Sequence, residues 1–297
     1  MPLLDDIVAG LSDSCSPQLR LPEHRQIELS TARKLISFAP ADADSEAPMP
    51  LALGACRTFM MLDAFHEARL AGAEGVSYWQ RYTDLPRKSL SDKIGAEIYR
   101  ILRVVRLLTF HRLGEISMKN GLLDIKGEVA REVLWLRISP AGLKLIESAA
   151  VWYMDAVRQP YPDAYIDAMM AEYYADIIGE IKKYSDEKRS LNQFRKPFAT
   201  FNRHFRLDCA SFPLKIGTDA LVIEITELHR NASVYPVDFY LPYGEDLYIV
   251  PAEALENGKI TLAELPKWQA RSPDGTLPAR YRARLGYEVP VKNQPMT

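Results

Sequence analysis

The side chains with the most capacity for chemistry in this 297-residue chain are basic, and they are unevenly distributed. Residues 81–112 carry eight Lys and Arg against three Asp and Glu, whereas the whole chain has a net charge of -2 and a pI of about 6.3. Such a concentration of positive charge is typical of surfaces that bind phosphate. Because the average charge is slightly acidic, a uniformly basic, histone-like protein is excluded, and any polyanion site must be local.

A predicted helix that begins at residues 89–91 carries the cations best placed to contact DNA. Three polar residues stand at its start: Arg87, Lys88 and Ser89. Backbone N–H groups and the helix dipole favour a phosphate at such a position. Lys93, Glu97 and Arg100 follow at steps of four and three, opposite the apolar positions, and are expected to project together toward base edges. The alternative is that these charges form only the solvated face of an amphipathic helix.

Apolar periodicity predicts three helices in this part of the chain. The first covers residues 55–71 and the second residues 77–84. The third is the helix with the basic run, and five apolar residues form its buried stripe: Ile94, Ile98, Ile101, Val105 and Leu108. A fourth helix is predicted from Ser139 and Pro140, since Ser is a good N-cap and Pro suits the first helical position.

Two β-like segments lie between the third and fourth helices, at residues 107–113 and 132–138. The intervening residues 114–131 contain Asn120-Gly121, which is typical of a hairpin turn. Three cations of this hairpin could hold backbone phosphates: Arg112, Lys119 and Lys126. The order helix, short helix, turn, long helix, strand, loop, strand, helix is that of a winged helix-turn-helix domain, whose third helix enters the major groove.

Two segments carry a family resemblance: Ser91-Asp-Lys-Ile-Gly-Ala-Glu-Ile-Tyr-Arg-Ile-Leu-Arg-Val-Val-Arg-Leu-Leu-Thr-Phe-His-Arg and, after the hairpin, Leu136-Arg-Ile-Ser-Pro-Ala-Gly-Leu. Together they resemble bacterial winged-helix proteins, in particular replication-initiation and regulatory proteins of plasmids and integrated genomic islands. The resemblance covers residues 55–150 and implies DNA binding. It does not separate replication from transcriptional control.

A second basic cluster covers residues 182–206, with eight Lys and Arg against two Asp and Glu. A helix is predicted over residues 190–205, with four phenylalanines at helical spacing: Phe194, Phe198, Phe201 and Phe205. In one interpretation the Phe side chains form a core stripe and the charges are its solvated face. In another, four cations hold phosphates of the same duplex: Arg195, Lys196, Arg203 and Arg206. In a third, exposed Phe rings stack on bases.

Catalytic and metal-binding patterns are weak. Asp219 and Glu224 are similar to the acidic pair of PD-(D/E)xK nucleases, but Thr226 stands where that chemistry needs a Lys. Two histidines and one cysteine could be imagined as a nucleophile set, but no spacing supports it: His204, His229 and Cys209. The three cysteines stand far apart, so neither a disulfide framework nor a zinc site is expected. The sequence therefore predicts no enzymatic activity, no cofactor and no bound metal.

The chain is predicted to be α+β with four parts. They are a Pro-rich arm and linker (1–50), the winged-helix domain (51–158), a helical segment (159–208) and a small α+β domain with a polar tail (209–297). Tyr and Met residues crowd the helical middle, which is typical of internal packing or of a homodimer contact that would match a palindromic DNA site. No apolar run reaches the length of a membrane span and no signal sequence opens the chain, so a cytoplasmic location is predicted.

The sequence thus predicts a non-catalytic, sequence-specific double-stranded DNA-binding protein of a bacterial mobile element, acting in transcription regulation or in replication and maintenance. Two alternatives stay open. One is a winged-helix subunit that docks proteins inside a larger nucleoprotein complex. The other is a degenerate nuclease.

Overall fold

The computed structural model describes residues 47–70, 72, 75–158, 161–194, 205–208, 214–223, 237–244 and 246–269. The chain is mixed α+β and divides into two compact units. The described part of the first unit is residues 47–158 and 170–194, and that of the second is residues 161–169 and the segments between 205 and 269. The predicted arm lies outside the described residues up to position 46.

The first unit contains helices α1 (Pro48–Glu67), α2 (Tyr78–Asp84), α3 (Leu90–Phe110) and α4 (Pro140–Ala156), and most of α5 (Asp163–Glu180). The side-chain oxygens of Ser77, Ser89 and Ser139 accept backbone N–H groups and cap α2, α3 and α4. Pro140 occupies the first turn of α4, as predicted. Since α1 begins at Pro48, the predicted linker ends earlier than position 50.

Four antiparallel strands form the sheet of this unit, in the order β1 (Glu115–Lys119), β2 (Leu122–Val129), β3 (Glu132–Ile138) and β4 (Ile181–Ser185). Two-residue turns connect the first three strands. Asn120-Gly121 joins β1 to β2 as predicted, and Ala130-Arg131 joins β2 to β3; all four residues have positive φ.

Helix α3 is the centre of the first unit. It packs against α1, α4 and strands β1 to β3, and every residue from Ile94 to Val105 is buried. The sheet turns one face toward these helices, with five buried apolar side chains: Leu123, Ile125, Leu134, Leu136 and Ile138. The opposite face, which carries the alternate residues, is called the outer face below.

The second unit contains two small sheets. One is antiparallel, in the order β10 (Lys259–Thr261), β7 (Ala220–Ile223) and β6 (Leu214–Ile216). The other has the order β5 (Phe205–Asp208), β8 (Val237–Tyr243) and β9 (Asp246–Pro251), with β5 parallel to β8. Short apolar runs between turn residues predict strands at residues 220–225, 237–241 and 247–250, and the structure has β7, β8 and β9 at these places.

Three predicted elements differ from the structure. The strand predicted over 107–113 is wrong, because α3 continues to Phe110 and the predicted loop 114–131 holds β1 and β2. A helix is predicted from the sequence over residues 163–184, but it ends at Glu180 and β4 follows it. The predicted helix 190–205 is not helical over 190–194, and Phe205 begins β5; residues 195–204 lie outside the described residues. No helix in the described ranges is both long and apolar enough to cross a membrane.

Candidate nucleic-acid interface

Arg100, predicted to read bases, lies in the core with 0% of its surface exposed. Its Nε donates to Asp186 Oδ2 at 2.5 Å and its Nη2 donates to Asp186 Oδ1. The Nη1 group donates to Glu97 Oε2 at 3.1 Å. A guanidinium with these partners cannot reach a DNA groove without unfolding the contacts around it.

Glu97 is equally enclosed, with 1% exposure. Its carboxylate accepts hydrogen bonds from the Tyr82 hydroxyl at 3.0 Å and from the Asn192 side-chain amide at 2.8 Å. The prediction that Glu97 and Arg100 share an exposed face with Lys93 is therefore wrong. The physical reason is that α3 is covered on several sides, so its polar stripe faces the segment after β4 instead of solvent.

Two further arginines of the basic run are buried in ion pairs. Arg103 donates to both oxygens of the Glu187 carboxylate. Arg81 lies 2.6 Å from Asp63 Oδ2 and 3.1 Å from Glu67 Oε1. Much of the charge excess of residues 81–112 is thus matched by acids from outside that run.

The electrostatics of this interior follow from burial and pairing. Burial alone would raise the pKa of Asp186, but the Arg100 guanidinium, the Lys188 backbone N–H and the Tyr184 hydroxyl together hold it below its usual value. Burial and the neighbouring Asp186 raise the pKa of Tyr184 well above its ordinary value. These groups stay in one charge state across the physiological range, which suits a structural ion network.

The N-terminus of α3 is also occupied. Ser89 Oγ accepts the Asp92 N–H at 3.0 Å, and Asp92 Oδ2 accepts the Ser89 N–H at 3.3 Å, which forms a capping box. Arg87 turns back and donates to the carbonyls of Tyr82, Thr83 and Leu85 at the end of α2. The N–H groups and the guanidinium predicted to bind a phosphate here are therefore engaged within the fold.

Three predicted cations remain exposed without an acidic partner among the described residues: Lys88, Lys93 and Arg112. Lys88 and Lys93 lie at the start of α3, and Arg112 lies just after its end. They are the part of the predicted set that solvent, or a ligand, can reach directly.

Two predicted hairpin cations, Lys119 and Lys126, lie on the outer face of the sheet. Lys126 Nζ is 2.8 Å from Glu115 Oε2, and Lys119 Nζ is 3.8 Å from Asp124 Oδ2. The Lys126 pair is exposed; hydrogen bonding to Glu115 raises the pKa of Lys126 and lowers that of Glu115. A solvent-exposed pair of this kind is weak, so a phosphate can compete for Lys126.

The outer face holds cations that sequence reasoning missed. Arg137 lies on β3 and Lys183 on β4, next to each other in register. The Lys183 Nζ sits 3.4 Å from the centroid of the Trp135 ring, and Trp135 Nε1 donates to Asp124 Oδ1 at 2.6 Å. No local signal pointed to this group, because β4 reads as a continuation of the preceding helix.

The second basic cluster is only partly described. Arg195, Lys196 and Arg203 lie outside the described residues, and Arg206 belongs to strand β5. Their role stays a prediction. Lys188, also of this cluster, places its Nζ 4.9 Å from the centroid of the Tyr82 ring.

The aromatic and sulfur side chains that suggested a dimer contact are internal. Seven of them are at least 97% buried within the chain: Tyr153, Met154, Tyr165, Met169, Met170, Tyr173 and Tyr174. They are therefore packing residues, and the predicted homodimer loses that support.

Most residues of the weak catalytic patterns lie outside the described residues. Asp219 is exposed in the turn before β7, while Glu224, Thr226, His204, His229 and Cys209 lie outside the described residues. Within the described ranges, no three His, Cys, Asp or Glu side chains lie close enough to hold a metal. The second unit has a cleft of about 660 Å³, but its charged lining is Glu253, Glu256, Glu264 and Lys259, which does not suit a polyanion.

The geometry offers exposed cations beside a sheet, which can bind anions. Comparison with protein-family models, with curated proteins and with solved structures finds no match to this chain.

Proposed function

We propose that the first unit binds double-stranded DNA without catalysis. The observation that carries the proposal is the exposure of Lys88, Lys93 and Arg112, which have no acidic partner in the described part of the chain. Most arginines of the same run serve the fold, and these three cations are the part of the run that stays accessible to a ligand. Phosphate contacts of this kind supply most of the sequence-independent affinity for DNA.

The spacing of these cations suits a duplex. Helix α3 has 21 residues and is therefore about 30 Å long, with Lys93 near its first turn and Arg112 just beyond its end. One turn of B-DNA spans about 34 Å. Contacts at both ends of α3 could thus reach phosphates almost one helical turn apart and fix the orientation of the protein. Lys119 and Lys126 on the sheet would add to them.

The proposal includes a winged-helix arrangement, supported by the order of three helices followed by an antiparallel sheet. It differs from the usual docking mode, since the middle of α3 is buried and cannot enter the major groove. Sequence-specific contacts would come from the ends of α3 and from the hairpins. The resemblance to plasmid and genomic-island proteins supports a role in transcription regulation or in replication and maintenance of a mobile element.

Salt dependence tests the proposal. Fluorescence anisotropy with a labelled duplex should give an affinity that falls linearly with salt on a log–log plot. The triple variant Lys88→Gln, Lys93→Gln, Arg112→Gln should lose about 0.9 of slope for each contact, or about 2.7 in total. The control is Lys182→Gln, an exposed lysine whose Nζ donates to the Gly179 carbonyl, and it should keep the wild-type slope. Absent binding, or a triple variant with the wild-type slope, would contradict the proposal.

Protein docking is the second candidate function. It is favoured by three exposed apolar side chains: Phe110, Leu113 and Val133, which are 64%, 54% and 55% exposed. Gly127 pairs with Leu134, the residue after Val133, and approaches the Leu113 backbone closely, so these side chains belong to one end of the sheet. Docking through them would be insensitive to salt, which separates it from DNA binding.

A further inference from the structure

The outer face of the sheet places two positive charges directly opposite each other. Register pairs Asp124 on β2 with Arg137 on β3, and Arg137 with Lys183 on β4, so the three form one row across the sheet. Like charges in directly opposed positions destabilise a strand pair. An opposite charge close to both side chains would remove that cost.

Asp124, the acid in this row, forms no ion pair with Arg137 or Lys183. Asp124 is 4% exposed, accepts the Trp135 indole N–H and has its ion pair, at 3.8 Å, with Lys119. Lys183 is exposed, and its ammonium group rests on the Trp135 ring. The Nε atom of Arg137 is buried without a hydrogen-bond partner. Within the described residues, neither Arg137 nor Lys183 has an ion pair with a carboxylate.

We propose that Arg137 and Lys183 form a phosphate-binding site on the outer face, which holds a backbone phosphate of the duplex. The inference rests on the proposed function and deepens it, since it names where on the sheet the backbone binds. A phosphate placed between the two side chains removes their repulsion. The planar guanidinium matches two phosphate oxygens, and the ammonium supplies a third charge-assisted hydrogen bond.

The site needs little rearrangement. Lys183 exchanges its contact with the Trp135 ring for a hydrogen bond to phosphate, which is a rotation of an exposed side chain. Trp135 stays in place because its N–H is held by Asp124. It then forms the apolar wall beside the bound group.

The first experiment uses the full chain and duplex DNA. The double variant Arg137→Gln, Lys183→Gln should flatten the log affinity against log salt plot by about 1.8, at about 0.9 for each contact, and should weaken all sequences equally. Lys182→Gln is the matched control, since it removes an exposed lysine next to Lys183 whose Nζ contacts the Gly179 carbonyl. Arg137→Lys keeps the charge and should keep the slope, which separates loss of charge from loss of packing.

The second experiment uses inorganic phosphate and thermal melts at matched ionic strength in chloride. Phosphate should raise the Tm of the wild type more than that of the double variant. If phosphate stabilises both proteins equally and the DNA slope does not change, the site is overturned while the proposed function stands. If the phosphate effect is lost in the double variant but the wild type binds no DNA, the site stands and the proposed function fails.

Discussion

The middle of α3 and the outer face of the sheet both carry closely spaced cations, but the fold treats them in opposite ways. Arg100 and Arg103 are buried and paired with Asp186 and Glu187. On the sheet, Arg137 and Lys183 face each other with no carboxylate between them. Positive charge along a sequence therefore becomes a positive surface only where no acid from a distant part of the chain neutralises it.

The acids that neutralise α3 come from far along the chain. Asp186 follows Arg100 by 86 positions, in the segment directly after β4. Asn192 and the Ser190 carbonyl belong to the same segment and complete the network. Charged groups taken out of water must be paired and hydrogen-bonded, so this segment and α3 depend on each other.

The largest effect is expected from breaking the buried network. Arg100→Met leaves Asp186 and Glu97 as buried carboxylates without their guanidinium, which should lower the free energy of unfolding by about 3–5 kcal/mol. Lys93→Met, on the exposed side of the same helix, should change it by less than about 0.5 kcal/mol. Chemical denaturation measures both. Equal, small effects would show that the interior of α3 is no different from its exposed end.

The apolar stripe of α3 is expected to matter for stability and not for DNA binding. Ile98 and Ile101 are fully buried on α3, so Ile98→Ala and Ile101→Ala should each lower the free energy of unfolding by about 2–5 kcal/mol. Their DNA affinity, measured below the melting transition, should stay at the wild-type value. A variant that melts like the wild type would contradict the placement of α3 at the centre of the unit.

Local signals in the sequence predicted much of the first unit. The period of the isoleucines located α3, the Ser-Pro pair located the start of α4, and β3 was predicted at residues 132–138, as observed. Strand β4 was missed because Ile181-Lys-Lys-Tyr-Ser is a strand only through pairing with β3, a contact that no local pattern encodes. The predicted strand at 107–113 failed because its apolar residues continue the helical stripe.

The candidate site was harder to predict than the fold. A helical wheel places Lys93, Glu97 and Arg100 on one polar face, and it cannot show that residues 186–192 cover part of that face. Arg137 and Lys183 become neighbours only when the β3–β4 register is known. The exposed cations Lys88, Lys93 and Arg112 could be identified from the sequence, because nothing in the described fold covers them.

The third prediction concerns His66, a buried histidine that has no acidic partner among the described residues to stabilise its charged form. Burial, with Arg69 and Arg81 nearby, lowers the pKa of His66 to about 3, and its Nε2 has no hydrogen-bond partner. The folded state therefore keeps His66 neutral. Above about pH 6.5 the unfolded chain also keeps it neutral, so the free energy of unfolding is at its full value there. The free energy of unfolding decreases as the pH falls from 6.5 toward 3, because in this range only the unfolded chain binds a proton at His66.

The expected loss is about 1.4 kcal/mol for each pH unit in that range, or about 2 kcal/mol between pH 6.5 and 5. Urea denaturation across this range should show the slope in the wild type and a shallower one in His66→Gln. If both proteins lose stability in parallel, His66 is not a buried neutral group. Such a result would mean that a buried group does not need an acidic partner, as Arg100 has in Asp186, to carry a charge in this interior.

The smallest effect is expected at the two tight turns of the sheet, which have the same backbone conformation but different residue types. Asn120-Gly121 and Ala130-Arg131 both have two positive φ angles, but only the first pair is suited to them. The exposed Ala130-Arg131 turn therefore holds strain that the fold does not require. Ala130→Asn with Arg131→Gly should raise the free energy of unfolding by about 1 kcal/mol, since the strain of about 1 kcal/mol at each residue is relieved only in part: Asn is better tolerated than Ala, and Gly adds entropy to the unfolded chain. The reciprocal variant, Asn120→Ala with Gly121→Arg, should lower it by a similar amount. Denaturation midpoints at an unchanged m-value measure both changes. If neither variant shifts the midpoint, the conformations of the two turns are not controlled by their residue types.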